Sequence, residues 1–219
     1  KIDFMDISVI VPLFNEAESL PVLHEWIARV MRENNFSYEV IYINDGSTDT
    51  SWQVIKQLRE NDENVHGICF RRNYGKSAAL YCGFDAAKGD VVITMDADLQ
   101  DPPSLLNEML EILENEDYDC VGTRRVTRIG EPPIRSFFAR IFYKLINKIS
   151  NVEVVDGARD YRIMTRKMVN AILSITERNR FTKGIYGWVG FKTKWIEFEN
   201  VERSVGESKW SFGKLFLYA

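Results

Sequence analysis

The feature that most constrains this chain is a rhythm in its first 123 residues. Five short strand-like segments fall at 7–13, 39–43, 65–70, 91–95 and 119–123. The first, a continuous apolar run with β-branched residues, reads as a buried strand. Stretches of helical character separate them. Residues 18–34 place Leu20, Leu23, Ile27, Val30 and Met31 on one face. Ser47 or Asp49 can cap a second helix ending near residue 60, 77–87 forms a third, and Pro102-Pro103 opens a fourth over 103–114. Alternation of strand and helix predicts an α/β fold with a mostly parallel sheet flanked by helices on both faces. Right-handed crossovers then align the C-terminal ends of the strands along one edge, where ligands of such sheets bind. The residues just after each strand are the ones to read for chemistry.

Beyond residue 123 the rhythm stops. Ile134, Phe137, Phe138, Ile141, Phe142, Leu145, Ile146 and Ile149 recur at helical spacing, with Arg135, Arg140, Lys144 and Lys148 off the stripe. Such a helix either packs on a core or lies in a lipid headgroup plane. Short strands at 161–164 and 194–198 and a helix near 167–175 complete the reading. Charge divides along the same line. Residues 1–120 hold nine basic and 23 acidic side chains, residues 121–219 nineteen and nine. Either both are solvated faces, or the second half meets an anion such as a phosphate or a membrane surface.

Several classes are excluded. A hydrophobic content of 45% argues against disorder. Three widely spaced cysteines (Cys69, Cys82 and Cys120) form no disulfide framework and suit a reducing compartment. Two histidines, His24 and His66, are too few for a His-rich zinc site. No signal peptide and no run of ~18 apolar residues is visible. The chain lacks an initiating Met and stops in mid-pattern at residues 215–219, so it is expected to be a fragment of a longer protein.

The first strand ends in Pro12-Leu13-Phe14-Asn15-Glu16, where Asn15 or Glu16 can bond a base or ribose or cap a helix. The second ends in Asn44-Asp45-Gly46-Ser47-Thr48-Asp49, either a ligand-facing carboxylate or a turn-and-cap cluster. After the third, Gly75-Lys76-Ser77 imitates the end of a phosphate-binding P-loop. That loop requires another glycine where Phe70 stands, so only a basic loop able to touch phosphate remains. Gly184, Gly187 and Gly190 lack the spacing and the strand–helix setting of a dinucleotide fingerprint. The fourth strand ends in Met95-Asp96-Ala97-Asp98-Leu99-Gln100-Asp101. Carboxylates two residues apart on extended backbone project to one side, and like charges that close call for a cation between them. Oxygen donors suit Mg²⁺ or Mn²⁺, with Gln100 as a neutral third oxygen.

Taken in order, Ile10-Val11-Pro12-Leu13-Phe14-Asn15-Glu16, Asn44-Asp45-Gly46-Ser47-Thr48-Asp49, Arg72-Asn73-Tyr74-Gly75-Lys76 and Asp96-Ala97-Asp98-Leu99-Gln100 resemble the family 2 inverting glycosyltransferases. The resemblance implies the Rossmann-like GT-A fold of nucleotide-diphospho-sugar transferases, with Asp96-Ala97-Asp98 as its DXD motif. Asp160-Tyr161-Arg162, Glu177-Arg178-Asn179-Arg180-Phe181 and Arg203-Ser204-Val205-Gly206-Glu207-Ser208-Lys209 further resemble the polyprenyl-phosphate sugar transferases, the group of the dolichyl-phosphate mannose synthases and bactoprenol glucosyltransferases.

By that resemblance, Pro12, Phe14, Glu16, Ile43 and Asp45 hold the nucleoside, with Phe14 standing where family members often carry Tyr. Asp96, Asp98 and Gln100 ligate the metal, Ala97 adds a backbone contact, and Arg124 touches phosphate. Arg203 and Lys209 close over the diphosphate. Asp160, or Asp156 if the spacing shifts, is the acceptor-side acid; Asp160, Asp98 and Arg203 are the catalytic set. Residues 1–125 form the nucleotide-sugar and metal-binding half, and residues 126–219 the acceptor-side, membrane-proximal half of one GT-A domain. The expected partners are a nucleotide-sugar donor (UDP-sugar favoured, GDP-sugar possible), a polyprenyl phosphate acceptor and a membrane surface. Nucleic acid is not expected, and a homo-oligomer is permitted. The expected location is the cytoplasmic face of the membrane, with C-terminal spans anchoring the intact protein. The alternative is transfer to a saccharide acceptor in cell-surface polysaccharide synthesis.

Overall fold

The computed structural model describes residues 6–101, 105–125, 145, 147–148, 155–177 and 180–198. The elements run β1 (Asp6–Leu13), α1 (Leu20–Glu33), β2 (Ser37–Asn44), α2 (Ser51–Asn61), β3 (Val65–Cys69), α3 (Lys76–Ala86), β4 (Val91–Thr94), α4 (Leu105–Asn115) and β5 (Cys120–Arg125). After these come β6 (Ala158–Thr165), α5 (Arg166–Ser174), α6 (Thr182–Trp188) and β7 (Thr193–Phe198). All seven strands join one sheet in the order β3-β2-β1-β4-β6-β5-β7. β1 runs parallel to β2 and β4, β2 to β3, and β5 to β7.

The pleat sorts side chains onto two faces. Val9, Val11, Val40 and Tyr42 pack with Leu23, Ile27 and Met31 of α1, Ile55 of α2 and Met109 of α4. Their neighbours Ile10, Ile41 and Ile43 pack on the other side, with Leu80 and Phe84 of α3, Met168 and Ile172 of α5 and Tyr186 of α6. The sheet is therefore covered on both faces. That explains why every residue of β4 is buried and why its sequence shows no polar alternation.

One strand departs from the parallel expectation. β6 lies between β4 and β5 and runs antiparallel to both. Its pairing sets Thr94 opposite Arg162. Because the partner runs backwards, two residues beyond the end of β4 correspond to two residues earlier on β6. The register therefore brings Asp96 level with Asp160. The Thr94 hydroxyl donates to the Asp160 carbonyl and pins this alignment. The start of β6 thus joins the edge formed by the ends of β1–β4.

The apolar helix expected at 134–149 lies outside the described residues apart from 145, 147 and 148. The expected membrane location with anchoring spans is corrected. No helix among the described residues is long and apolar enough to cross a membrane. The longest of them, α1, has 14 residues, against the ~20 that a bilayer core requires.

Candidate active site

The loops after β1 and β2 are stapled to each other. Asn15 takes a left-handed φ of 56°, a conformation that Asn tolerates better than most residues. Its side-chain carbonyl accepts from the backbone N–H groups of Thr48 (2.7 Å) and Asp49 (3.3 Å). Its own backbone N–H donates to Ser47 Oγ at 2.8 Å. The Glu16 N–H donates to Ser51 Oγ at 3.0 Å, and that hydroxyl donates to Asp49 Oδ1 at 2.6 Å. Asn15, Ser47 and Asp49 thus spend these groups fixing one loop against the other.

Asp45 does the same for the loop after β3. It is 4% exposed. Its two oxygens accept from the N–H groups of Tyr74 (2.7 Å) and Gly75 (2.9 Å). Burial pushes its carboxyl up, and the two N–H groups oppose that rise. Gly46, at φ +70°, lies so close to this loop that a Cβ there would meet the Arg72 carbonyl carbon at 2.4 Å. The result of this packing is a fixed launch point for α3, whose first residue is Lys76.

Lys76 reaches across to the β4–β6 junction. Its Nζ bonds Asp96 Oδ1 and lies 2.6 Å from Asp160 Oδ2. Arg159 approaches the other Asp96 oxygen at 3.7 Å and Asp101 Oδ1 at 3.3 Å. The Asp96 N–H donates to Asp101 Oδ2 at 3.2 Å, and the Gln100 N–H to Asp98 Oδ1 at 3.2 Å. Lys183 of α6 donates to the Ala158 carbonyl at 2.8 Å. Beneath them Arg162, 2% exposed, lies 3.9 Å from the Tyr186 ring centroid and donates to the Arg159 carbonyl at 3.0 Å. A cleft of about 610 Å³ opens beside Asp96 and Asp101, walled by Val22, Trp26 and Arg29 of α1 and by Met95 and Leu99.

Burial alone would raise the Asp160 carboxyl. The cations around it, Lys76 first and then Lys183 and Arg162, together outweigh burial and hold Asp160 well below the ordinary carboxylate range. Burial would likewise lower Lys76, but Asp160 and Asp96 hold it charged. Lys183 is lowered, by burial first and then by the neighbouring cations, although Asp160 opposes the shift. Asp101 is pushed up to about 7, by burial and by the Asp96 charge, against the pull of Arg159.

Of the residues singled out in the sequence, Pro12, Ile43, Asp45 and Ala97 are buried, and Phe14, Glu16, Asp96, Asp98, Gln100, Arg124 and Asp160 are half-buried. Asp96 and Asp160 come together through Lys76. Asp156 sits four residues earlier, in the turn entering β6. Arg124, at the end of β5, approaches Glu197 of β7 at 3.8 Å. Arg203 and Lys209 lie outside the described residues. The sequence alone assigns no role to Asp101, Arg159 or Lys183. Only the reversed direction of β6 places Arg159 beside Asp101, and nothing in local spacing announces it.

Among the described residues, no three His, Cys, Asp or Glu side chains group as a metal site. Asp96 and Asp98 nonetheless form a donor set compatible with a hard divalent ion. Mg²⁺ and its relatives are commonly held by one or two protein carboxylates, with water and substrate phosphate oxygens completing the shell.

A mixed sheet with strand-end acids at its ligand edge is the architecture of the GT-A glycosyltransferases. The solved glucosyl-3-phosphoglycerate synthase of Mycobacterium tuberculosis, in complex with Mn²⁺, UDP-glucose and phosphoglyceric acid, superposes with a TM-score of 0.60 at 18% identity, covering 98% of this chain and 76% of that one. Residues 8–173 match Glycosyl transferase family 2. The chain belongs to that family. It is 44% identical over 212 residues to the glycosyltransferase CsbB of Bacillus subtilis, covering 97% of this chain and 64% of CsbB. It is 38% identical to the prophage bactoprenol glucosyl transferase homolog of Escherichia coli, covering 98% of this chain and 70% of that protein. The chain thus spans about two thirds of the length of these relatives.

Proposed function

We propose that this chain transfers a hexose from a nucleotide-diphosphate sugar, a UDP-sugar in preference to a GDP-sugar, to polyprenyl phosphate, with inversion at the anomeric carbon. The observation that carries this reading is the pair formed by Asp160 and Lys76 at 2.6 Å on the ligand edge. A base that deprotonates a sugar hydroxyl must take up a proton near neutral pH. A carboxylate held well below its ordinary range by an adjacent ammonium does this poorly. A phosphate acceptor is already ionised and needs no such base. Lys183 and Arg162 on the same side contribute a positive field suited to it. The relative named for bactoprenol glucosyl transfer supports the same acceptor class.

In this reading the loops after β1 and β2 receive the nucleoside. Pro12, Phe14 and Glu16 border it, while Ile43 and Asp45 act from beneath by setting loop position. A bound Mg²⁺ or Mn²⁺ would be held by Asp96 and Asp98, with Gln100 as a further oxygen and Ala97 giving a backbone contact, and would supply positive charge to the departing diphosphate. Arg124, Arg203 and Lys209 meet the same diphosphate. The anomeric C–O bond breaks with its electron pair going to the diphosphate oxygen, as an acceptor phosphate oxygen bonds from the opposite face. Asp160 orients the acceptor side through its cations.

The test is incubation with UDP-glucose, Mn²⁺ and a short-chain polyprenyl phosphate, following UDP release and glucose incorporated into lipid. Equal amounts of both products are expected. Turnover with an oligosaccharide but none with the polyprenyl phosphate would overturn the reading.

A further inference from the structure

Both oxygens of Asp96 already face a protein cation, Lys76 at Oδ1 and Arg159 at Oδ2. A divalent ion that takes Asp96 as a ligand is opposed by both, and most by Lys76, which bonds Asp96 directly. Arg159 is poorly placed to leave. Its side chain is 19% exposed, and its Nε and Nη2 both donate to Asp101, at 3.4 and 3.3 Å. It touches Asp96 only at 3.7 Å and keeps Asp101 whether or not Asp96 is engaged, so it need not move when an ion arrives.

Lys76 makes the direct bond to Asp96 and has more freedom to move. Its side chain is 40% exposed, and a second carboxylate, Asp160, lies 2.6 Å away. It stands at the first residue of α3 on a flexible four-carbon stem. It can give up Asp96 and keep a full ion pair, so no charge is left unpaired on either side.

We propose that Lys76 is an internal counter-ion of the cation site: it neutralises Asp96 while no divalent ion is bound, and withdraws onto Asp160 alone when one binds. This rests on Asp96 and Asp98 being the ligands of that ion. It follows that the ion competes with Lys76 and binds the free protein weakly. It also follows that metal loading moves the side chain that holds Asp160, which couples the two sides of the site.

Mn²⁺ titration followed by electron paramagnetic resonance, without nucleotide, tests the proposal on the wild-type chain, Lys76→Met and Lys76→Arg. Removing the competing charge should tighten Mn²⁺ binding about tenfold in Lys76→Met, while Lys76→Arg stays near wild type. In EDTA, Lys76→Met should melt lower than wild type, because Asp96 and Asp160 lose their shared cation. Saturating Mn²⁺ should then raise its midpoint by more than it raises that of the wild type. If Lys76→Met does not fold, Lys76→Gln carries the same comparison. Equal or weaker Mn²⁺ binding by the neutral variant, with the wild type still binding, overturns the counter-ion role and leaves the metal reading standing. No Mn²⁺ binding by any of the three, with or without UDP, removes the metal reading and this proposal with it.

Discussion

The two ends of the ligand edge are held together by different chemistry. Around β1 and β2, one loop is tied to the next by hydrogen bonds from backbone N–H groups to Asn15, Ser47 and Ser51. Around β4 and β6, the contacts are ion pairs among Lys76, Asp96, Asp101, Arg159 and Asp160. The first arrangement has one satisfied geometry, because each donor has a fixed direction. The second has several pairings of similar quality, because charges exchange partners without leaving a group unsatisfied. A preformed nucleoside platform suits the first. The second suits the cation and the charged leaving group proposed for that end.

The largest expected effect falls on the charged end. Asp96→Asn should lower turnover by roughly a thousandfold or more and abolish Mn²⁺ binding. Its melting midpoint in EDTA should move little, since Lys76 keeps Asp160 and Arg159 keeps Asp101. A drop of more than about 5 °C would show the pair to be structural and would erase the contrast between the two ends.

Gly46→Ala strikes the junction of the platform with the loop that launches Lys76. A Cβ at φ +70°, 2.4 Å from the Arg72 carbonyl carbon, should cost about 2–3 kcal/mol in urea denaturation. An unchanged unfolding midpoint would mean that the loop after β3 adapts freely.

The pH dependence of stability separates the ends again. Asp101, pushed up to about 7, binds its proton more tightly folded than unfolded. The stability it contributes is therefore complete below the ordinary Asp value of ~4 and is lost as pH rises through about 7. Without divalent ions, wild-type stability should fall over that interval by on the order of 4 kcal/mol. Asp101→Asn should flatten this limb. An equally steep limb in that variant would assign the titration to another group.

The smallest effect belongs to the neutral staple. Asn15→Ala removes the carbonyl acceptor of the Thr48 and Asp49 N–H groups and should cost about 1 kcal/mol, with a raised KM for the donor and little change in kcat. A kcat loss as large as that of Asp96→Asn would give Asn15 a role in the reaction itself.

The platform made by the loops after β1 and β2 was largely legible from the amino-acid sequence. Apolar runs of five to seven residues followed by polar turns place Asn15, Asp45 and Asp96 at strand ends wherever helices separate parallel strands. Less legible was what those residues do there. Asp45 reads as a carboxylate facing a ligand, yet it is buried and clamps the Tyr74 and Gly75 N–H groups. Local sequence carries no sign of which backbone groups will come within reach. Lys76 reads only as part of a basic loop. Its two carboxylate partners lie 20 and 84 positions further along the chain.

What the sequence determined by itself is the layered α/β class, the edge along which the strand ends align and the paired acids on it. These follow from hydrophobic periodicity and turn chemistry, which are local. The direction of β6 and the charge cluster it completes were decided only by the tertiary structure. Strand pairing depends on which edge of the sheet stays open beside β4, and a register between residues 94 and 162 is a property of the assembled sheet rather than of either segment.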